Sequence, residues 1–148
     1  MRTTFAVLLA ALTFTSYAQA QTLRELLKTT IENWNKPTEP FKIIGNIYYV
    51  GTNGLSSFLV TSPQGHVLID TTMPETASQI EANIQKLGFK LTDVKYLVNT
   101  HAHMDHTGGF AQLKKSTGAQ MVSARKTSRC LRADIIPGTT MRLSSFRL

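Results

Sequence analysis

The chain has 148 residues, of which 42% are hydrophobic, and it contains one cysteine, Cys130. This length accommodates one small domain with a single core, and a lone cysteine excludes an internal disulfide framework. The formal net charge of +7 does not indicate a nucleic-acid partner, because residues 21–124 carry only +1 of it.

The first twenty residues have the pattern of an export signal. Arg2 supplies the positive start, residues 5–14 an apolar run, and Ala18-Gln19-Ala20 a small-residue cleavage site. The apolar run is too short to span a bilayer, and no later stretch has the ~20 apolar residues of a membrane helix. We therefore expect a mature protein that begins at Gln21, is periplasmic or secreted, and has no membrane partner after cleavage. A buried amphipathic N-terminal helix is the alternative.

Two prolines separate a short N-terminal helix from β-rich sequence. The stretch from Leu23 to Asn33 is helix-like, and Pro37 and Pro40 break its pattern. Two β-hairpins are predicted next, over residues 43–50 and residues 57–70, because short apolar runs flank turn residues in both places.

The hydrophobic periodicity then changes to that of a helix. Apolar residues recur at helical spacing over residues 75–87, and Gly88 follows at the C-terminal cap. A strand over residues 96–98 leads into a histidine cluster, and a short helix before Gly118 precedes a last strand over residues 120–122. This order predicts an α/β fold in which helices pack on a sheet with hairpin and crossover connections.

The histidine cluster contains four residues of metal-binding type within six positions: His101, His103, Asp105 and His106. Zinc is bound by imidazole nitrogens and carboxylate oxygens, and a catalytic site keeps one position for water. Two histidines two residues apart on extended backbone project to the same side and can bind one ion. Asp105 and His106, one turn further on, can face a second ion. The sequence therefore predicts a zinc site in this loop.

Other roles are open for some of these residues. The cluster could be a set of solvated loop histidines in which Asp105 caps a helix. The fourth histidine of the chain, His66, lies on a predicted strand between Gly65 and Val67, where we expect a structural role and not a metal ligand.

The cluster resembles the H-x-H-x-D-H zinc loop of the metallo-β-lactamase superfamily. Over roughly residues 30–124 the chain is similar to the third subclass, B3, of true metallo-β-lactamases. The resemblance implies an αββα sandwich, of which this chain supplies the N-terminal half. The similar segments are Trp34-Asn35, Pro40-Phe41, residues 45–52, Leu68-Ile69-Asp70 and residues 99–109.

The resemblance also implies a function. His101 and His103 would bind a first Zn²⁺ ion, and Asp105 and His106 a second, with Asp105 assigned as the catalytic residue. The zinc ions would activate water to open the β-lactam ring of an antibiotic. The expected partner is therefore a small-molecule β-lactam, bound by a monomer.

Asp70 follows a predicted strand and has two possible roles. By the resemblance it matches a position that supports the metal loop. Capping of the Thr71-Thr72 turn is an equally compatible role.

The sequence changes character at Ala124. Residues 125–148 lose hydrophobic periodicity, carry a net charge of +5 and contain Cys130. We interpret residues 1–20 as a signal peptide, residues 21–124 as the N-terminal part of a metallo-β-lactamase domain, and the remainder as an aberrant basic tail. A shifted reading frame would explain this change of character. The resemblance separately places two further histidine ligands beyond position 124, and the chain has no histidine after His106. An authentic alternative C-terminus is the other interpretation.

Two further functions are compatible with these residues. The H-x-H-x-D-H loop is shared by lactonases, thioesterases and nucleases of the superfamily, so the substrate could be a lactone, a thioester or a phosphoester. A non-catalytic, truncated zinc-binding fragment is the third hypothesis.

Overall fold

A computed structural model of the chain describes residues 19–123. These residues belong to two compact units, one ending at Trp34 and one starting at Asn35, and each is described by itself. In the first unit, residues 19–34 form helix α1, which confirms the helix predicted over residues 23–33. Within the described part of the chain, no helix is both long enough and apolar enough to cross a membrane.

The second unit contains one six-stranded sheet whose strands neighbour each other in chain order. The first four strands are antiparallel, and the last three are parallel to one another. The predicted mixture of hairpins and crossovers is therefore confirmed. The strands are β1 (Phe41–Ile44), β2 (Ile47–Tyr49), β3 (Phe58–Val60), β4 (His66–Ile69), β5 (Val94–Val98) and β6 (Gln120–Val122).

The two predicted hairpins form the antiparallel half of this sheet. Gly45 adopts a φ of 54°, a left-handed conformation that glycine enters without steric cost, and it turns the chain from β1 into β2. Asn46 then links the two hairpins: its carbonyl accepts a hydrogen bond from the Thr61 N–H at 2.9 Å, and its side-chain amide donates to the Thr61 carbonyl at 2.6 Å.

Helices occupy the crossovers between the parallel strands. Helix α2 (Ala77–Lys86), preceded by a 3₁₀ turn (Pro74–Thr76), connects β4 to β5, as the helical periodicity predicted. A second 3₁₀ turn (Leu91–Asp93) precedes β5. Helices α3 (Met104–Thr107) and α4 (Phe110–Thr117) connect β5 to β6.

The core lies between the sheet and helices α2 and α4. One row of side chains crosses the sheet in register, since Leu59 pairs with Leu68, Leu68 with Leu97, and Leu97 with Met121. Leu59, Leu68 and Leu97 are fully buried. From the helices, Ile80, Ile84, Phe110 and Leu113 join the same cluster. Each such side chain removed from water contributes about 1.5–3 kcal/mol to stability, so this layer fixes the strand ends that carry the histidine loop.

The opposite face of the sheet is less enclosed. Alternate residues of the strands, such as Phe58 and Ile69, are half-buried, and Tyr96 is 45% exposed. The fold class predicted from the sequence, an α/β arrangement corresponding to the N-terminal half of an αββα sandwich, is confirmed by this helix layer on one mixed sheet.

The proposed division of the chain stays a prediction. Most of the expected signal peptide and the basic tail over residues 125–148 lie outside the described residues. The central segment, predicted as residues 21–124, contains all six strands and helices α2 to α4, whereas α1 begins at residue 19 and so crosses the predicted boundary.

Candidate metal centre

The candidate site lies at the carboxyl ends of two parallel strands. Asp70 directly follows β4 and the histidine loop follows β5, and the N–H of Asp70 donates to the carbonyl of Val98 at 2.8 Å. Because the strands are parallel and adjacent, the residues that leave both ends meet at the same edge of the sheet. The buried layer beneath positions them there.

The structure brings the three loop histidines together. The ring centroids of His101 and His103 are 4.0 Å apart, and those of His101 and His106 are 5.5 Å apart. His103 is extended, with φ −72° and ψ 156°, and it immediately precedes α3. The extended backbone therefore places the first two rings on one side, and the first turn of α3 brings the third ring beside them.

His106 is oriented by a carboxylate. Its Nδ1 lies 2.9 Å from Oδ2 of Asp70, while its Nε2 lies 3.6 Å from Oδ2 of Asp105. A neutral imidazole that donates from Nδ1 leaves Nε2 as its acceptor, which is the form in which histidine binds metal. Asp70 thus fixes both the ring orientation and the tautomer that a metal site requires. Asp105 places a carboxylate oxygen, a possible metal ligand, beside Nε2 of His106.

Asp70 is itself held on several sides. The N–H of Thr100 donates to Oδ1 at 2.8 Å, and its hydroxyl donates to Oδ2 at 2.6 Å. The hydroxyl of Ser57 donates to the Asp70 carbonyl at 2.7 Å. Asp70 is 5% exposed and has a φ of 57°, a left-handed conformation that aspartate adopts more readily than most non-glycine residues. These contacts maintain the backbone conformation that points the carboxylate at His106.

The backbone on the far side of the loop is also anchored. The carbonyl of His106 accepts hydrogen bonds from the Thr71 N–H at 2.8 Å and the Thr71 hydroxyl at 3.2 Å. A Cβ at Gly109 would lie 2.4 Å from the Thr71 carbonyl oxygen, and one at Gly108 would lie 2.4 Å from Cδ of Pro74. Only glycine allows α3 to approach the chain after β4 this closely.

The arrangement decides between the two roles considered for Asp70. Its carboxylate contacts the loop residues Thr100 and His106, so it supports the loop. Three supporting residues were not singled out from the sequence: Thr71, Thr100 and Ser57. Thr100 stands directly before His101, but a threonine at that position has no distinctive spacing that would have identified it.

His66 lies at the other end of the sheet. It pairs with Val94 at the start of β5, whereas the histidine loop follows the end of β5. Its ring is buried edge-on against Phe89, with centroids 5.2 Å apart, and its Nδ1 accepts from the Ser62 N–H at 3.3 Å. These contacts agree with the structural role expected from the sequence.

The side-chain types of the loop suit zinc, although their positions do not enclose an ion. Within residues 19–123, no three histidine, cysteine, aspartate or glutamate side chains are arranged to hold a metal ion. Two imidazoles bound to one tetrahedral zinc at about 2.1 Å have centroids roughly 5 Å apart. The His101 and His103 rings, at 4.0 Å, must separate slightly to share an ion. The ligand assignments for these four residues therefore stay predictions that the donor chemistry supports.

Comparison with known proteins places the fold. The sequence profile of the metallo-beta-lactamase superfamily matches residues 50–129. BJP-1, a subclass B3 metallo-beta-lactamase of Bradyrhizobium japonicum, is 50% identical, with a TM-score of 0.66, and the match covers 68% of this chain and 38% of that one.

Curated relatives of other names match shorter stretches. A hydroxyacylglutathione hydrolase of Rhodopseudomonas palustris is 38% identical over 66 residues, which is 45% of this chain and 24% of the relative. The N-acyl homoserine lactonase AttM of Azorhizobium caulinodans is 30% identical over 83 residues, 40% of this chain and 31% of the relative. The chain thus spans less than half the length of each of these three proteins.

Proposed function

This chain belongs to the metallo-beta-lactamase superfamily, and we propose that it serves zinc-dependent hydrolysis of the β-lactam ring of antibiotics. The observation that carries the proposal is the loop after β5, where three imidazoles and one carboxylate lie together and one ring is fixed with its Nε2 free. The similarity to BJP-1 supports the choice of β-lactam over other substrates, since it is higher and covers more of the chain than the similarity to the curated hydrolases.

The proposed ligands divide into two groups. His101 and His103 would hold one zinc ion, and Asp105 and His106 a second. Bound zinc supplies Lewis-acid polarisation of a carbonyl and lowers the pKa of water to about 7. Asp70 keeps the proton of His106 on Nδ1, away from the ligand nitrogen, and Thr100 holds Asp70 in place. The side chain of Asp105, whose proposed role is catalytic, is 32% exposed and therefore accessible to substrate.

The setting of this activity is also proposed. The N-terminal pattern of residues 1–20 supports export to the periplasm or beyond, where a β-lactam would be encountered. A small-molecule substrate and a monomeric protein accord with a site built from neighbouring loops of one sheet. Resistance to β-lactam antibiotics would be the biological consequence.

A second function is kept because specific relatives favour it. A hydroxyacylglutathione hydrolase matches 45% of this chain, and an N-acyl homoserine lactonase matches 40% of it. A thioester or a lactone, like a β-lactam, presents a carbonyl to polarise. The histidine loop serves any of these substrates equally, so the choice depends on residues that contact the rest of the substrate.

The test is a substrate panel with metal control. Purified, zinc-loaded protein would be assayed on a penicillin, a cephalosporin, a carbapenem, an acyl-homoserine lactone and an acyl-glutathione thioester. The same panel would be run on the longest polypeptide that the locus encodes. We expect hydrolysis of at least one β-lactam, abolished by a chelator and by a His101→Ala, His103→Ala double variant.

Two outcomes would overturn the proposal. Zinc-loaded protein that is inert on every β-lactam but cleaves the lactone or the thioester would establish the second function. Protein that binds zinc and hydrolyses nothing on the panel would favour the third hypothesis, a non-catalytic zinc-binding fragment.

A further inference from the structure

Asn99 is a buried polar residue between the end of β5 and the first histidine. It follows Val98, the last residue of the strand, and it is 7% exposed. Its side-chain Nδ2 donates to the backbone carbonyl of His101 at 2.9 Å. The side chain therefore spans two residues of the loop and sets the direction in which the chain leaves the sheet.

The orientation of this amide is determined by the contact. A carbonyl oxygen only accepts hydrogen bonds, so the group that faces the His101 carbonyl must be the NH₂ of Asn99. The Oδ1 then points the other way, where it is buried and has no hydrogen-bond partner among the described residues. The amide therefore has one defined orientation, with its donor on the loop backbone and its oxygen buried.

The backbone of His101, and not its ring, receives this hydrogen bond. Among residues 19–123, no hydrogen bond is made to the rings of His101 or His103, whose recorded ring contacts are with other loop histidines. The carbonyl of His103 is held by the N–H groups of His106 and Thr107, at 3.0 and 3.1 Å, and by the Thr107 hydroxyl at 3.0 Å. At His101 the corresponding anchor is the amide of Asn99, which is a side chain and can be replaced.

We propose that Asn99 is a positioning residue that holds the backbone of His101 in place for metal binding, through the His101 carbonyl, while the ring itself stays free to rotate. This inference rests on the proposed zinc function. Partners that orient a metal ligand typically change metal affinity about 10- to 100-fold when they are removed. Asn99 does not touch the metal, and its effect passes through the backbone that carries the ligand.

The test uses Asn99→Asp, which keeps the shape and the Oδ1 acceptor but replaces the donor with an acceptor facing the His101 carbonyl. The matched control is Asn83→Asp. Asn83 is 6% exposed and its Nδ2 donates to the carbonyls of Val50 and Gly51 at 3.0 and 3.2 Å, away from the loop. Both variants therefore lose the same kind of buried amide-to-carbonyl contact. Asn99→Ala, which removes the donor without adding charge, is included in case Asn99→Asp fails to fold.

Two readouts are taken on the full chain. The first is zinc affinity by chelator competition, expressed per folded molecule. The second, on zinc-free protein, is the proton NMR contact between the His101 and His103 rings. We expect either Asn99 variant to lower zinc affinity at least about 10-fold and to weaken the ring contact, while Asn83→Asp changes neither.

Equal affinities and unchanged ring contacts in the Asn99 and Asn83 variants would overturn the inference. If the unaltered chain bound no zinc, the proposed function would fail. The ring contact in zinc-free protein would still decide the role of Asn99.

Discussion

His106 and the pair His101 and His103 lie in one six-residue loop, yet their rings are held in different ways. The His106 ring is bonded to Asp70 at 2.9 Å, and the carbonyl of the same residue is held by Thr71. His101 and His103 are exposed. The described residues thus combine one fixed ring with two rings that contact mainly other loop histidines.

The difference shows which rings of the loop are fixed before a metal binds and which are not. A fixed ring lowers the conformational entropy that is lost when the ring binds a metal ion, because its rotamer and tautomer are already set. The two exposed rings keep their freedom until an ion binds them. His106 therefore acts as the preorganised part of the site, and His101 with His103 as the adaptable part.

The largest effect is expected from Gly109→Ala, which breaks the anchored end of the loop. Gly109 has a φ of −80°, which alanine adopts freely, so the cost comes from crowding of its Cβ, chiefly against the Thr71 carbonyl and more weakly against Cβ of Ala77 and Thr71. We expect a loss of about 2–3 kcal/mol in the free energy of unfolding, measured by urea denaturation. Gly45→Ala is the control, because Gly45 has free space but a positive φ; it should lose only about 1–2 kcal/mol. Equal losses would contradict the close approach.

The next effect is expected from Asp70→Asn. This variant keeps a residue that tolerates the left-handed conformation but removes the charge that accepts hydrogen bonds from Thr100 and His106. Loss of charge-assisted hydrogen bonds should cost about 1.5–3 kcal/mol in stability. It should also lower zinc affinity about 10- to 100-fold, measured by chelator competition. Unchanged zinc affinity in folded Asp70→Asn protein would show that the carboxylate does not orient the site.

A comparison of single histidine variants sharpens the contrast directly. In zinc-free protein, His106→Ala leaves the buried Asp70 carboxylate short of a partner and should cost about 1–3 kcal/mol. His101→Ala and His103→Ala, at exposed positions, should each change stability by less than about 0.5 kcal/mol. Thermal or urea unfolding of the three variants provides the measurement. Similar losses at all three positions would remove the distinction between the fixed ring and the exposed rings.

The smallest effect is expected from Tyr49, the last residue of β2. The chain continues from there to Ser57, which is hydrogen-bonded to Asp70. Burial raises the pKa of Tyr49, and a hydrogen bond with the Ser56 side chain opposes part of that rise. The folded state therefore favours the neutral phenol of Tyr49 over the phenolate. Its contribution is fully present below the unfolded pKa of about 10 and is lost as pH rises through the folded pKa. Stability measured between about pH 9 and 11 should fall less in Tyr49→Phe than in the unaltered chain, and identical pH profiles would contradict this.

Most of the fold could be predicted from the sequence because local signals agree with tertiary packing. Short apolar runs on either side of turn residues predict the hairpin strands, and the helical spacing that includes Ile80 and Ile84 predicts α2. The four candidate ligands were found because their residue types coincide within six positions. The supporting residues were harder to find, since Thr71 and Thr100 contact the site only after β4 and β5 pair. No local pattern marks a threonine whose partner lies 30 or more residues away.

One ring of the loop is fixed before metal binds, and the other two take their final orientation only on the metal. Nitrogen NMR of the histidine rings, in zinc-free and zinc-loaded protein, distinguishes these states. We expect zinc-free His106 to be a single tautomer protonated at Nδ1, the His101 and His103 rings to be averaged, and zinc to shift the ring nitrogens of all three. Averaged signals for His106 in zinc-free protein, or rings that do not respond to zinc, would contradict it.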